Sequence, residues 1–280
     1  MILLKSAADL SRFVNKNREK GHSIGFVPTM GALHQGHISL IEQSRKECTL
    51  TICSIFVNPT QFNNPEDFKK YPVTIEKDID MLEKWGCDVL FLPEAAEIYP
   101  PGFIKPHYEL GYLETLLEGK YRPGHFQGVC QVVDRLLEIV MPDKLYLGQK
   151  DYQQCMVLTK LVKDKYDDTT IVICPTLRET DGLAMSSRNL RLNEDQRKIA
   201  IEIYNSLLYI KQHIKSGQLE TLTATAIKKL TAHGFKVDYV AIADAETLSP
   251  IDKWNGQQQL VALLAAFLDD IRLIDNMVLN

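Results

Sequence analysis

The hydrophobic positions of this chain follow two rhythms. Short, nearly unbroken apolar runs stand at SIGFV (23–27), TLTICSIFV (49–57), CDVLFL (87–92), KLYLG (144–148) and TTIVICP (169–175). Between them lie longer stretches with apolar residues three and four apart: 6–20, where Ser6 is placed to cap a helix, then 37–48, 73–85, 126–140 and 152–166. The first rhythm predicts strands and the second amphipathic helices. Unbroken strands suit a parallel sheet covered on both faces, so the order predicts an α/β fold.

The pattern changes after Pro175. TLRETDGLAMSSRNLRLN (176–193) is polar and reads as a loop or hinge. Asn193 to Gln196 then caps a long helix to about Lys215, and a second helix covers about 219–233, ended by Gly234. Three strand-like runs close the chain: KVDYVAIAD, LVALLAAFL and IRLIDNMVL. The expected organisation is a Rossmann-like parallel-sheet domain over 1–176. A smaller α+β lid domain over 177–280 would carry helices on an antiparallel sheet.

Composition narrows the classes. A net charge of -4 over 280 residues argues against a broad nucleic-acid surface but leaves room for a local basic pocket. Six cysteines are scattered singly, mostly inside apolar runs, and read as small buried hydrophobes in a reducing compartment. The N-terminus turns polar at once and no segment is long and apolar enough to span a bilayer. The expectation is a soluble cytoplasmic protein without membrane or nucleic-acid partners.

Candidate chemistry gathers at strand ends, where open α/β sheets bind ligands. PTMGALHQGH (28–37) follows the first predicted strand. Its glycines allow close backbone approach, and the following helix offers N–H groups to an anion. His34 and His37 could donate to phosphate from either ring nitrogen, or could simply be polar helix-end residues. A metal reading lacks a third ligand. GQKDYQQ (148–154) offers Lys150 to phosphate, Asp151 to orient it, and Gln154; a solvated helix start with Asp151 as cap is the plain alternative. MSSR (185–188) sets two hydroxyls and a guanidinium in the hinge, and is otherwise a serine-rich linker. FVNPTQF (56–62) carries Asn58 and Gln61, suited to a small hydroxylated carboxylate; KYRPGHFQGV (120–129) brings Arg122 and His125. Both also read as turns.

In this order and spacing, MGALHQGH, FVNPTQF, KYRPGHFQGV, LYLGQKDYQQ and RETDGLAMSSRNLRL resemble the pantoate–β-alanine ligase family, over essentially the whole chain. The family belongs to the HxGH nucleotidyltransferases. The resemblance implies an AMP-forming ligase that joins (R)-pantoate to β-alanine through a pantoyl adenylate, with ATP as co-substrate, Mg²⁺, and a homodimer. It implies catalytic roles for His34, His37 and Lys150. It implies ATP contacts from Met30, Gly31, His34, His37, Gly148, Lys150, Asp151, Leu177, Met185, Ser186, Ser187 and Arg188, and pantoate contacts from Asn58, Gln61 and Gln154. Metal ligands stay unassigned; Asp78 is the carboxylate considered.

Four positions depart from the family pattern. Gln35 and Gln149 replace glutamates, and Val73 and Gln127 replace arginines. All four remove charge and suggest a correlated loss of ion pairs. Two other functions compete: an adenylyltransferase that keeps AMP on its product, and a non-catalytic nucleotide sensor. The glutamine-lined pocket opposes the first and the retained His37, Lys150 and Arg188 oppose the second.

Overall fold

A computed structural model describes all 280 residues. They form two compact units, Met1–Gln149 with Gln153–Pro175, and Lys150–Tyr152 with Thr176–Asn280. The three residues Lys150–Tyr152 thus cluster with the second unit.

The first unit is built on a six-stranded parallel sheet. Its strands are β1 (Ile2–Leu4), β2 (Ile24–Thr29), β3 (Leu50–Ile55), β4 (Val89–Phe91), β5 (Lys144–Gly148) and β6 (Thr170–Cys174). The order is β1-β4-β3-β2-β5-β6. Its helices are α1 (Ala7–Arg18), α2 (Gln35–Glu47), α3 (Ile75–Lys84), α4 (His125–Val140) and α5 (Tyr152–Lys165), with short helical turns between. The chain steps from β2 to β3 and β4 on one side, then returns to β5 and β6 on the other. Right-handed crossovers therefore set α2 and α3 on one face of the sheet and α4 on the other. Ile24, Phe26, Ile52, Leu90 and Phe91 are fully buried in the middle. Each such side chain contributes about 1.5–3 kcal/mol by leaving water.

Strand order reverses between β2 and β5, and there the ladder is short. Only Gly25 and Phe26 of β2 pair with Lys144 and Leu145 of β5. On its other side β2 stays paired with β3 through Thr29↔Ile55. Beyond Phe26 and Leu145 the two strands are no longer paired, at the switch point where open α/β sheets bind ligands. Pro28, which has no N–H to donate, falls where the ladder to β5 has already ended.

The sequence reading missed β1. Three residues at a sheet edge give no usable periodicity, and β1 exists because Ile2, Leu3 and Leu4 pair in parallel with Val89, Leu90 and Phe91. The 58–72 stretch contains helical turns at Pro59–Gln61 and Pro65–Lys69, each started by an asparagine cap.

The second unit carries α6 (Glu194–Ala200), α7 (Glu202–His213) and α8 (Glu220–Ala232) on an antiparallel sheet. Its strands are β7 (Lys236–Asp244), β8 (Leu260–Leu268) and β9 (Ile271–Val278), in the order β9-β8-β7. Asn193 and Gln196 form the expected reciprocal cap. The expected single long helix is interrupted at Ile201, which keeps helical angles (φ -62°, ψ -21°). Ile203, Leu207, Ile210, Leu230 and Leu264 fill the core.

The 177–185 segment is not an irregular linker. Arg178 and Ala184 form an antiparallel bridge, the Met185 N–H donates to Leu177 O at 3.0 Å, and Gly182 turns the chain at φ +98°. Arg178 donates to both carboxylate oxygens of Asp275, at 2.6 and 3.1 Å. Burial pushes the Asp275 carboxyl above its ordinary value, against the pull of Arg178.

Candidate active site

The loop after β2 is shaped by one buried carboxylate. Gly31 (φ +80°) and Ala32 (φ +48°) are both left-handed, a conformation that glycine tolerates and alanine resists. Successive residues of this kind point their N–H groups into a common hollow, the usual cradle for an anion. Here Asp78 of α3 occupies it. Asp78 Oδ2 accepts from the Ala32 N–H at 2.9 Å, and Oδ1 from the Leu33 N–H at 2.8 Å and the Thr74 hydroxyl at 3.0 Å. Asp78 is 1 % exposed. A Cβ on Gly31 would stand 3.1 Å from Asp78 Oδ2 and 3.0 Å from Ile55, so the glycine also admits the carboxylate. The oxygens of Asp78, the carboxylate considered for a metal, hold the loop.

The loop delivers two histidines in one fixed form. His34 is the N-cap of α2, and its Nδ1 accepts from the Gly36 N–H at 3.1 Å. His37, three residues into the helix, accepts from the His34 N–H through Nδ1 at 3.2 Å. The rings lie 4.0 Å apart, centroid to centroid. An imidazole whose Nδ1 accepts carries its proton on Nε2. Of the two donor nitrogens expected for each ring, the structure leaves Nε2–H. The histidines are helix-end residues, and capping with Nδ1 leaves Nε2–H as the donor of each ring. Gln35 between them is exposed.

A second group forms where the turn after β3 meets α4. Gln61 donates from Nε2 to the Met30 sulfur at 3.1 Å, and its Oε1 accepts from Asn58 Nδ2 at 3.1 Å. Asn58, 1 % exposed, also donates to Gly128 O at 3.1 Å and accepts from the Tyr99 hydroxyl at 3.0 Å. The Gln61 carbonyl accepts from His125 Nδ1–H at 2.8 Å, while His125 Nε2 accepts from Arg122 at 3.0 Å. Asn58, Arg122, His125 and Tyr99 thus fix Gln61 from several sides. Gly128 makes the approach feasible: a Cβ there would lie 2.3 Å from Thr60 O. The sequence reading did not foresee Tyr99 or that Asp78 holds the loop, since nothing in spacing links them to the motifs; Gly128 stands inside the 120–129 motif, but its approach to Thr60 was not visible there.

Gly148 ends β5, and its carbonyl accepts from the Cys155 thiol at 3.3 Å. Gln154 is half-buried on α5, whereas its neighbour Gln153 is buried and pins the chain at Leu113, Leu116 and Glu118. In the second unit, Lys150 Nζ stands 3.6 Å from Asp151 Oδ1. Residues 149–151 form a 3-10 turn ahead of α5. Ser186 caps the turn 187–191 by accepting from the Arg188 N–H at 3.3 Å, Ser187 is buried, and Met185 and Arg188 are half-buried. Leu177 is exposed at the base of the hairpin.

The four departures have separate surroundings instead of one shared network. Gln127 accepts from the Tyr108 N–H at 3.0 Å and donates to Tyr108 O at 2.9 Å and to Glu114 at 3.0 Å. An arginine could donate but not accept there. Gln35 is exposed and Gln149 half-buried. Val73 is 68 % exposed, and nothing in the structure explains it.

A Rossmann-like sheet with an open switch point, flanked by a histidine-capped helix, defines a nucleotide-binding α/β enzyme. The comparisons narrow the class. The family model described as pantoate-beta-alanine ligase matches residues 2–278. The pantothenate synthetase of Cytophaga hutchinsonii is 44 % identical, covering 100 % of this chain and 99 % of that one; the Fervidobacterium nodosum protein of the same name is 43 % identical with full coverage of both. The crystal structure of pantothenate synthetase from Thermus thermophilus superposes with a TM-score of 0.90 at 39 % identity, covering 99 % of each chain. A Francisella tularensis pantoate-beta-alanine ligase, complexed with beta-gamma ATP and beta-alanine, superposes with a TM-score of 0.82 at 42 % identity, covering 99 % of this chain and 97 % of that one. The chain belongs to the pantoate-beta-alanine ligase family.

Proposed function

We propose that this chain performs its family's reaction with His34 and His37 as paired donors to the nucleotide phosphates. The reaction condenses pantoate with β-alanine at the expense of ATP. The pantoate carboxylate attacks the α-phosphorus and expels pyrophosphate; the β-alanine amine then attacks the acyl adenylate and releases AMP. No protein nucleophile is required, so rate comes from positioning and from donors placed where charge develops. The observation that carries the reading is the reciprocal cap, which holds both rings with the proton on Nε2. Gln61, fixed by Asn58 and His125, and Gln154 are read as pantoate contacts. Gly148, Lys150, Asp151, Leu177 and 185–188 are read as the nucleotide set, Lys150 and Arg188 countering phosphate charge.

No group of three or more His, Cys, Asp or Glu side chains is arranged to hold a metal. Asp78 is spent on the loop. Magnesium is therefore read as the counter-ion that arrives with the nucleotide, and the chain's own residues are assigned no ligand role. The reading extends to a homodimer acting in the cytoplasm. No helix is long and apolar enough to cross a membrane, and all six cysteines are free thiols.

The test is pantoate-dependent exchange of labelled pyrophosphate into ATP. Exchange is expected in the native chain. In His37→Ala, single-turnover adenylate formation should slow by more than ATP binding weakens, because the contact strengthens in the transition state. An unchanged single-turnover rate would remove His37 from the chemistry, and absence of exchange in the intact chain would remove the function.

A further inference from the structure

In the second unit, the end of β9 carries a polar pair where its pattern calls for an apolar one. Ile271 and Leu273 alternate inward along the strand, and the next inward position is Asp275. Asp275 is 3 % exposed and its neighbour Asn276 2 % exposed. A buried charge is costly unless paired, so a carboxylate in this slot calls for a reason beyond packing.

The partners show where the pair reaches. Asp275 takes both donors of Arg178, at 2.6 and 3.1 Å. Arg178 also donates to Asn276 O at 3.1 Å and to Gly182 O at 3.1 Å, and so closes the hairpin that leads into 185–188. The Asn276 N–H donates to Asp275 Oδ1 at 2.8 Å. The Asn276 side-chain amide donates to Lys150 O at 2.8 Å. One dipeptide therefore holds the backbone of Lys150 with its amide and the root of the 185–188 segment with its carboxylate.

We propose that Asp275–Asn276 is a positioning device for adenylate formation: it fixes the Lys150 backbone and the 178–188 hairpin in one frame. Asp275 and Asn276 act through Lys150 and the hairpin. The inference rests on the reading of Lys150 and 185–188 as nucleotide contacts. Because those contacts serve the first half-reaction, loss of the frame slows adenylate formation and spares attack of β-alanine on an adenylate already made. A general structural defect would slow both.

The experiment compares Asn276→Ala and the smaller change Asn276→Ser, whose hydroxyl falls short of Lys150 O, with Lys150→Ala. Each half-reaction is measured by rapid quench, the second on supplied pantoyl adenylate. Thermal unfolding confirms folding, and the serine variant stands in where the alanine variant does not fold. The expected result is a drop of about tenfold or more in the first half-reaction for the Asn276 variants, with an unchanged second half-reaction and pantoate KM. Equal slowing of both half-reactions would overturn the proposal, leaving a purely structural pin. Native rates in the Asn276 variants beside a slow Lys150→Ala would overturn it while keeping the assignment of Lys150. A native adenylation rate in Lys150→Ala would overturn the assignment and the proposal with it.

Discussion

Asp78→Asn is the sharpest test of how the histidine loop is held. The substitution preserves shape but replaces one acceptor oxygen with an NH₂ group. With Oδ1 kept toward Leu33 and Thr74, the new donor faces the Ala32 N–H, now 2.9 Å from Oδ2. A hydrogen bond to a charged group contributes about 1.5–3 kcal/mol, and a buried N–H left facing a donor adds a desolvation cost of similar size. The left-handed Ala32 costs about 1–2 kcal/mol to hold, and the carboxylate offsets that strain. The lost bond and the N–H left against a donor together tip the balance against the native loop by about 1.4–3 kcal/mol. The loop should then leave its native form for a large fraction of the time. His34 and His37 follow it directly, so kcat/KM for ATP in pyrophosphate exchange should fall by about 10- to 100-fold, at 1.4 kcal/mol per tenfold. The melting temperature should fall by only a few degrees, about 2–4 °C per kcal/mol in a domain of this size. A kcat/KM within about twofold of native would refute the view that Asp78 sets the loop.

Other outcomes follow from the same contacts. Gly128→Ala should raise the pantoate KM more than it lowers kcat, because its Cβ drives against Thr60 O at 2.3 Å and shifts Gln61; overpacking of backbone costs about 1–3 kcal/mol, read by steady-state kinetics and urea melts. A thiol reagent at neutral pH should modify Cys48 alone in the native protein and all six cysteines in denaturant, since burial pushes Cys87 and Cys130 up to about 12. Prompt modification of a second native thiol would contradict this. Hydrogen bonds from Arg197 hold Asp181 below its ordinary 3.8. Its stabilisation is therefore present above that value and lost as pH falls through the lowered one, and Asp181→Asn should flatten the acid limb of a stability profile by only a few tenths of a kcal/mol, the pair being solvent-screened.

The sequence carried the large features because they are periodic. Five of the six parallel strands are apolar runs, and the helices between them carry three-and-four spacing. β1 was invisible because a three-residue edge strand is defined by its partner, not by its own pattern. Pro28 looked like the end of a strand, yet β2 runs through it, because the β5 ladder that proline would break stops two residues earlier. The histidines announced a helix start or an anion site, but not that their own Nδ1 atoms would cap the helix. Asp78 could only be guessed at, since 46 residues separate it from the amide it holds. Gln127 looked like a lost charge; only the fold shows an amide used for both donation and acceptance at Tyr108.

The reciprocal cap joins two properties that most enzymes keep apart. The nitrogens that start α2 belong to the same rings that would meet the nucleotide. A proton placed on either Nδ1 would set donor against donor, at Gly36 or at His34. Such a proton would take away one side-chain cap of α2, while the backbone bond from the Ile38 N–H to His34 O at 3.2 Å stays. The capping bonds at Gly36 and His34 thus fix which nitrogen of each ring is turned away from the helix.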